Sequence, residues 1–333
     1  MSFCETARSI LFPVAFVAVP WLAFLDGPVR AEDPALPAPK PAPAVQVLPL
    51  PYEQASFEYQ GRELTRYHFG PGLERPFWYP VIGPEGKSLT RMGHPRDPYT
   101  HRHHNSVWIS HEKVGGVNFW SDGTGSKIVC RQVLQYEDGP QEASMLSLNA
   151  WQDKAGKTVM LERRRTAVLP MAGGEWLMLI DLQLEAPASG PVTLGETPFG
   201  LIGVRMAKTI GVHDGGGRIL NSAGQVNEAQ AFRQPAKWVD YSGPATDRVR
   251  GGIALLDHPS NPGHPTPFHV RDDGWMGASL THTAPLALRP GQPLRLRYAL
   301  FVHAGAPSVE TIQRQWEAYV KLPLPPLTLS KKR

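Results

Sequence analysis

The chain has 333 residues, 41% hydrophobic and 19% charged, which is ample apolar material for a packed core and excludes an intrinsically disordered chain. Its 34 prolines and 32 glycines exclude a protein of long helices and favour turns and short strands. The net charge of +4 comes from scattered basic residues, apart from Arg163–Arg165 and the terminal KKR, so no patch for nucleic acid is expected.

The run ILFPVAFVAVPWLAFL (Ile10–Leu25) follows Arg8 and precedes Val29-Arg30-Ala31, an ending of the A-x-A kind. It reads as a signal peptide over residues 1–31, cleaved after about Ala31, with an uncleaved N-terminal anchor as the alternative. No later run approaches the roughly 20 apolar residues of a membrane helix. The expectation is an exported protein, periplasmic or extracellular, with no membrane span after cleavage. Cys130 is then the one cysteine of the mature chain, which leaves no internal disulfide.

Residues 32–51, rich in proline and alanine, are expected to be a polyproline-type linker. The folded domain is expected over 52–322, with a basic tail at 323–333. In Trp176–Glu185, Trp176, Met178, Ile180, Leu182 and Leu184 alternate with Asp181, Gln183 and Glu185. Leu294, Leu296, Tyr298, Leu300 and Val302 alternate in the same way with Arg295 and Arg297. Arg163–Arg165 reads as a solvated surface strand. This predicts an all-β fold, a large antiparallel β-sandwich with one buried face per sheet. One C-terminal helix is predicted after Pro307-Ser308, with Ile312, Trp316, Tyr319 and Val320 at helical spacing and Pro323 as its stop. It should pack on the outside of the sandwich.

THRHHNSVWISH, from Thr100 to His111, holds four histidines. Asn105–His111 reads as a strand, Val114–Val117 as a turn and Asn118–Trp120 as the start of a returning strand. His101 and His103 would project to one side if extended, as a metal pair needs. Three readings stay open: a divalent metal on His101 and His103, acid–base chemistry by imidazoles titrating near neutrality, and a structural polar network. A second cluster, Ala254–Trp275, carries Asp257, His258, Asn261, His264, His269 and Arg271 on a proline-rich loop. For His264, between glycine and proline, a solvated loop position is expected. Arg205 ends an apolar stretch and suits a carboxylate or vicinal hydroxyls. Trp238-Val239-Asp240-Tyr241 suits either a sugar face or plain core.

These motifs, in order, resemble a family labelled methane oxygenase PmoA. They are His101, His103, His104 and Trp108; Gly116, Asn118, Phe119 and Trp120; the stretch through Arg205; Asn221–Gly224; Trp238–Tyr241; Asp257–Pro262; His269–Trp275; and Arg297–His303. The resemblance covers about residues 52–322. Thr100, Arg102 and Asn105 stand where that family has Asp, Pro and Arg, so a local acidic partner for the histidines is missing. A membrane methane monooxygenase would need several transmembrane helices, which this chain lacks. By fold analogy the resemblance implies a galactose-mutarotase-like supersandwich that acts on sugars with histidines and carboxylates. The expected ligand is a small molecule or oligosaccharide. The catalytic candidates are His103, His104, His111, His258 and His269. The substrate-binding candidates are Asn118, Trp120, Arg205, Asp257, Asn261 and Arg271. A non-enzymatic sugar-binding module and a periplasmic copper- or zinc-binding protein are the alternatives.

Overall fold

Alternation of apolar and polar residues along extended segments builds two eight-stranded antiparallel sheets, seen in a computed structural model describing residues 40–93 and 98–328. The expected signal segment, His94 and the last five residues lie outside the described residues. The first sheet runs β1 (Val45–Leu50), β2 (Gln54–Tyr59), β3 (Arg62–His68), β4 (Phe77–Val81), β5 (Val107–Ser110), β11 (Leu201–Arg205), β16 (Trp275–Ser279), β15 (Phe268–Arg271). The second runs β12 (Arg218–Asn221), β13 (Trp238–Pro244), β14 (Arg250–Asp257), β18 (Leu294–Ala304), β9 (Trp176–Glu185), β8 (Thr158–Pro170), β7 (Ala143–Gln152), β6 (Lys127–Glu137). A small ribbon pairs β10 (Val192–Leu194) with β17 (Leu286–Leu288).

The main core lies between the sheets. Val47, Phe57, Trp78, Val107, Ile109 and Val204 of the first sheet meet Met178, Ile180, Leu182, Tyr298 and Leu300 of the second. The alternate residues on β9 and β18 form a second apolar cluster on the far side of the second sheet. There Leu177, Leu179, Leu256 and Phe301 are covered by Ile312 and Tyr319 of the C-terminal helix. Of the three α-helices among the described residues, α1 (Val212–Gly215), α2 (Asn227–Ala231) and α3 (Val309–Val320), the last is the one expected. Its N-cap is Ser308, whose hydroxyl accepts the Thr311 N–H.

Three expectations change. β1 falls inside the stretch assigned to the linker: Val45 and Val47 are buried, and Pro49 is tolerated because the strand lies at a sheet edge. The arginine run is a surface strand only in part. Arg163 pairs with Glu185 and Arg165 with Glu142, but Arg164 points into the core against a fully buried Glu162. That carboxylate is also held by the Trp151 indole N–H at 2.7 Å, so the buried charge is satisfied from two sides. Asn118–Trp120 is not a strand. The Asn118 side-chain oxygen accepts the N–H groups of Trp120 (2.8 Å) and Ser121 (3.1 Å), a local turn that displaces sheet pairing. No helix among the described residues is long and apolar enough to cross a membrane.

Candidate functional site

On the first sheet, one parity of residues enters the core and the other faces away from the second sheet. The outward row across β4, β5, β11, β16 and β15 reads Phe77, Trp108, Gly203, Gly277, His269. The next row holds Arg205, Trp275 and Arg271. Gly203 is required here, because a Cβ at that position would stand 2.5 Å from the Trp108 ring that lies across it. Phe77, Trp108, Trp120 and Trp275 thus form an aromatic floor.

A cleft of about 690 Å³ opens above this floor. One wall is the 3-10 helix Pro98–His103. The extended geometry expected for His101 and His103 is therefore replaced. In a 3-10 helix side chains at i and i+3 eclipse, and the His101 and His104 rings stack 4.7 Å apart. His103 sits edge-on to His104 at 4.6 Å. His104 in turn stacks on Trp108 at 5.0 Å and lies 5.1 Å from Trp275.

His101 Nδ1 stands 3.2 Å from Asp273 Oδ2, and Arg205 Nη1 donates to Asp273 Oδ1 at 2.9 Å. Burial would raise the Asp273 carboxyl, but His101 and Arg205 outweigh it and hold it down at about 2. His104 is driven well below the ordinary imidazole value by burial first, then by the charges of His103, Arg205, His101 and Arg91. Burial also takes His269 down to about 4; its Nδ1 lies 3.1 Å from the Pro198 carbonyl and its ring 4.1 Å from Trp275. His104 and His269 are therefore neutral hydrogen-bonding groups near pH 7. The rim carries an ion pair between Arg271 and Glu228 at 3.1 Å, and His213 Nδ1 lies 3.1 Å from Asp214 Oδ1.

The cleft gathers His101, His103, His104, Trp120, Arg205, His269 and Arg271. Other candidates lie elsewhere. His111 is fully buried: its Nδ1 accepts the Lys113 N–H at 3.0 Å, so Nε2 donates to Thr281 Oγ1 at 2.8 Å. Asn118 shapes the turn that delivers Trp120 and does not line the cleft. Asp257 ends β14 in the second sheet as the hub of a buried knot. It accepts from Asn261 (2.7 Å) and Thr266 (2.8 Å) and lies 2.8 Å from His264. His264, expected in solvent, is thus pinned, and its ring stacks on Trp316 of α3. His258 packs edge-on to Tyr319 beneath the same helix, and Trp238 bonds to Gln313 there. The loop Asp257–Arg271 accordingly serves two places, its first half under α3 and its last residues in the cleft. For the metal reading, no group of three or more His, Cys, Asp or Glu among the described residues could hold an ion.

Asp273 and Arg75 are among the residues that escaped the sequence. Asp273 supplies the carboxylate that position 100 lacks, from a turn that a local search around the histidines does not reach. Arg75, 2% exposed, donates to the carbonyls of His103 (3.1 Å), Phe119 (3.3 Å) and Trp120 (3.0 Å), and to Asn105 Oδ1 (2.7 Å) and Asp122 Oδ1 (2.8 Å). One guanidinium thus clamps the histidine segment to the segment bearing Trp120. Only the Asp-Asp-Gly turn signal at 272–274 offered a hint of the first, and nothing marked the second.

The class these features define is a large two-sheet antiparallel sandwich with an aromatic-floored, histidine-walled cleft on the outer face of one sheet. Within it, the chain belongs to the family of unknown function DUF6807, whose profile matches residues 54–317. This corrects the resemblance to the methane oxygenase PmoA label, since the family that matches is a different one. No curated protein matches the chain. Among solved structures, the chain is similar to galactose 1-epimerase from Lactobacillus acidophilus NCFM at 6% identity and a TM-score of 0.39, covering 76% of this chain and 95% of that one. A GalM/aldose epimerase homologue from C. elegans is similar at 8% identity and a TM-score of 0.34, covering 78% and 99%.

Proposed function

We propose that the cleft binds a sugar and moves a proton on it, with His101 as the acid–base group. The observation that carries this reading is the His101–Asp273–Arg205 array on the wall of a cleft floored by Trp120 and Trp275. Indole faces suit the apolar faces of a pyranose ring, while neutral His104 and His269 offer both a donor and an acceptor to its hydroxyls. Ionised Asp273 fixes the His101 ring through Nδ1, leaving the other nitrogen to exchange a proton with the ligand. That nitrogen takes a proton from a sugar hydroxyl or carbon, the electron pair stays on the sugar, and the proton is returned later. The imidazole ends as it began. Such chemistry serves an isomerase, a lyase or a hydrolase. An exported protein beginning near Glu32 belongs to the same proposal, and N-terminal sequencing of secreted material checks it.

Calorimetric titration with a panel of mono- and disaccharides, with turnover followed by proton NMR, tests the reading. His101→Gln should keep binding and lose turnover. Undiminished turnover in that variant overturns the acid–base assignment. Binding without turnover by the unaltered protein would favour a sugar-binding module instead.

A further inference from the structure

Resting on the reading of His101 as the acid–base group, we infer that Tyr241 and Glu228 are positioning residues for it. They fix the turn between β15 and β16 from two sides, and with it the Asp273 carboxylate that orients the His101 ring.

Arg271 pairs with Trp275 at the base of this turn, and Gly274 takes a φ of +98° that residues with a side chain rarely adopt. Asp272, which directly precedes Asp273, is held on both sides. On one side its N–H donates to Glu228 Oε2 at 2.8 Å, and the Glu228 N–H donates back to Asp272 Oδ1 at 3.0 Å. On the other, the His213 N–H donates to the Asp272 carbonyl at 2.9 Å. The Tyr241 hydroxyl donates to that carbonyl at 3.0 Å, with the Arg271 carbonyl at 3.2 Å. The same hydroxyl accepts the Val212 N–H at 3.0 Å. Val212 and His213 open α1, where N–H groups have no partner inside the helix. One phenolic oxygen therefore ties α1 to the turn, accepting from the first and donating to the second.

Tyr241 stands on β13 of the second sheet, fully buried in the core between the sheets, and its hydroxyl reaches a turn of the first. A phenylalanine would fill nearly the same volume, so packing accounts for the ring and not for the hydroxyl. Burial pushes the phenol above its ordinary value, which keeps the hydroxyl a donor. The last residue of the Trp238–Tyr241 motif is thus neither a sugar face nor plain core. A shift of Asp272 moves the next residue's carboxylate, which stands 3.2 Å from His101 Nδ1. Such contacts weaken steeply with misalignment, and the hydrogen bond at one imidazole nitrogen decides which nitrogen carries the proton. Loosening the turn therefore acts on the His101 tautomer and leaves the aromatic floor in place.

The test is long-range proton–nitrogen NMR of the histidine rings in the full protein at about pH 8.5, where ordinary imidazoles are neutral. The unaltered protein should carry the His101 proton on Nδ1. Tyr241→Phe and Glu228→Ala should each move part of the population to the Nε2–H form, in the same direction as Asp273→Ala. With a saccharide that is turned over, Tyr241→Phe should lower kcat at least about fivefold and leave KM within about twofold. Added to Asp273→Ala, it should lower kcat no further, which a loss of stability alone would not produce. A variant that melts earlier yet keeps the His101 tautomer of the unaltered protein removes that residue from the role. Glu228→Ala carries the test if Tyr241→Phe folds poorly. An unchanged tautomer in Asp273→Ala would instead overturn the acid–base reading itself, and this inference with it.

Discussion

Asp273 and His101 are 172 positions apart in the sequence, yet Oδ2 of one stands 3.2 Å from Nδ1 of the other. The turn between β15 and β16 thus provides the acidic partner for a histidine on a 3-10 helix in another part of the chain. Asp273 is held down at about 2 against an ordinary 3.8, so its ion pairs stabilise the fold above pH 3.8 and lose that contribution as the pH falls toward 2. Asp273→Asn should therefore cost on the order of 2 kcal/mol at pH 6, with the gap to the unaltered protein closing by pH 2. Urea melts at the two pH values measure it. A gap that does not depend on pH would mean the carboxylate is not the source.

Arg75 is expected to be the costliest single position around the cleft. Its removal takes a donor from the carbonyls of His103 and Trp120 and from the Asp122 carboxylate, while the Phe119 carbonyl keeps the Ser110 hydroxyl. Arg75→Lys keeps the charge but not the planar fork, and should destabilise by about 2–4 kcal/mol. Because the clamp joins His103 to Trp120, ligand affinity should fall in the folded fraction as well, as titration below the melting temperature would show. Unchanged affinity would make the clamp purely structural.

Gly203→Ala should lower stability by about 1–3 kcal/mol through the clash with Trp108, and should disturb the His104 ring stacked on it. Gly72→Ala, where a Cβ meets nothing within 4 Å, is the matched control and should be nearly neutral. Thermal melts of the pair suffice, and equal shifts would count against the packing argument.

Among the histidines, His269→Ala should weaken ligand binding, whereas His258→Ala should leave it unaltered while lowering stability by about 1 kcal/mol. His258 lies under α3 against Tyr319, away from the cleft. A loss of binding in His258→Ala would show that the two parts of the 257–271 loop are coupled.

Away from the cleft, His303 Nε2 lies 2.8 Å from Asp240 Oδ1 and its Nδ1 lies 3.2 Å from the Ala304 carbonyl. Burial disfavours the charged ring, but Asp240 outweighs it and raises the pKa above 6.5. The pair's contribution is complete below pH 6.5 and declines as the pH rises through the folded-state value. Asp240→Asn should accordingly cost more at pH 6 than at pH 9, by chemical denaturation. The reverse order would refute a charged His303.

What could be read from the sequence was whatever local periodicity carries. β9, β18 and α3 were legible because each alternates or recurs at a single spacing, and Ser308 and Pro323 bracket the helix. β1 was hidden because its few apolar residues sit in a proline-rich run whose composition resembles a linker. The histidine segment was legible as a cluster, but its geometry was not, since a 3-10 turn and a strand make opposite use of the same H-x-H-H. Arg75 and Asp273 could not be found locally, because their roles exist only once distant segments meet. The loop from Asp257 to Arg271 misled because its histidines look alike in sequence and separate only when β14 and β15 enter different sheets.

The cleft draws on residues near positions 75, 91, 101, 120, 205 and 273, and its central strand pairing joins β5 to β11 across some ninety intervening residues. No contiguous fragment of the chain could therefore carry a rudimentary version of it. Occupancy becomes a gauge of global folding: binding should vanish together with the cooperative unfolding transition rather than ahead of it. Contacts so remote in sequence also form slowly. A nascent chain would pass most of its synthesis with these aromatic and imidazole rings present but not yet assembled.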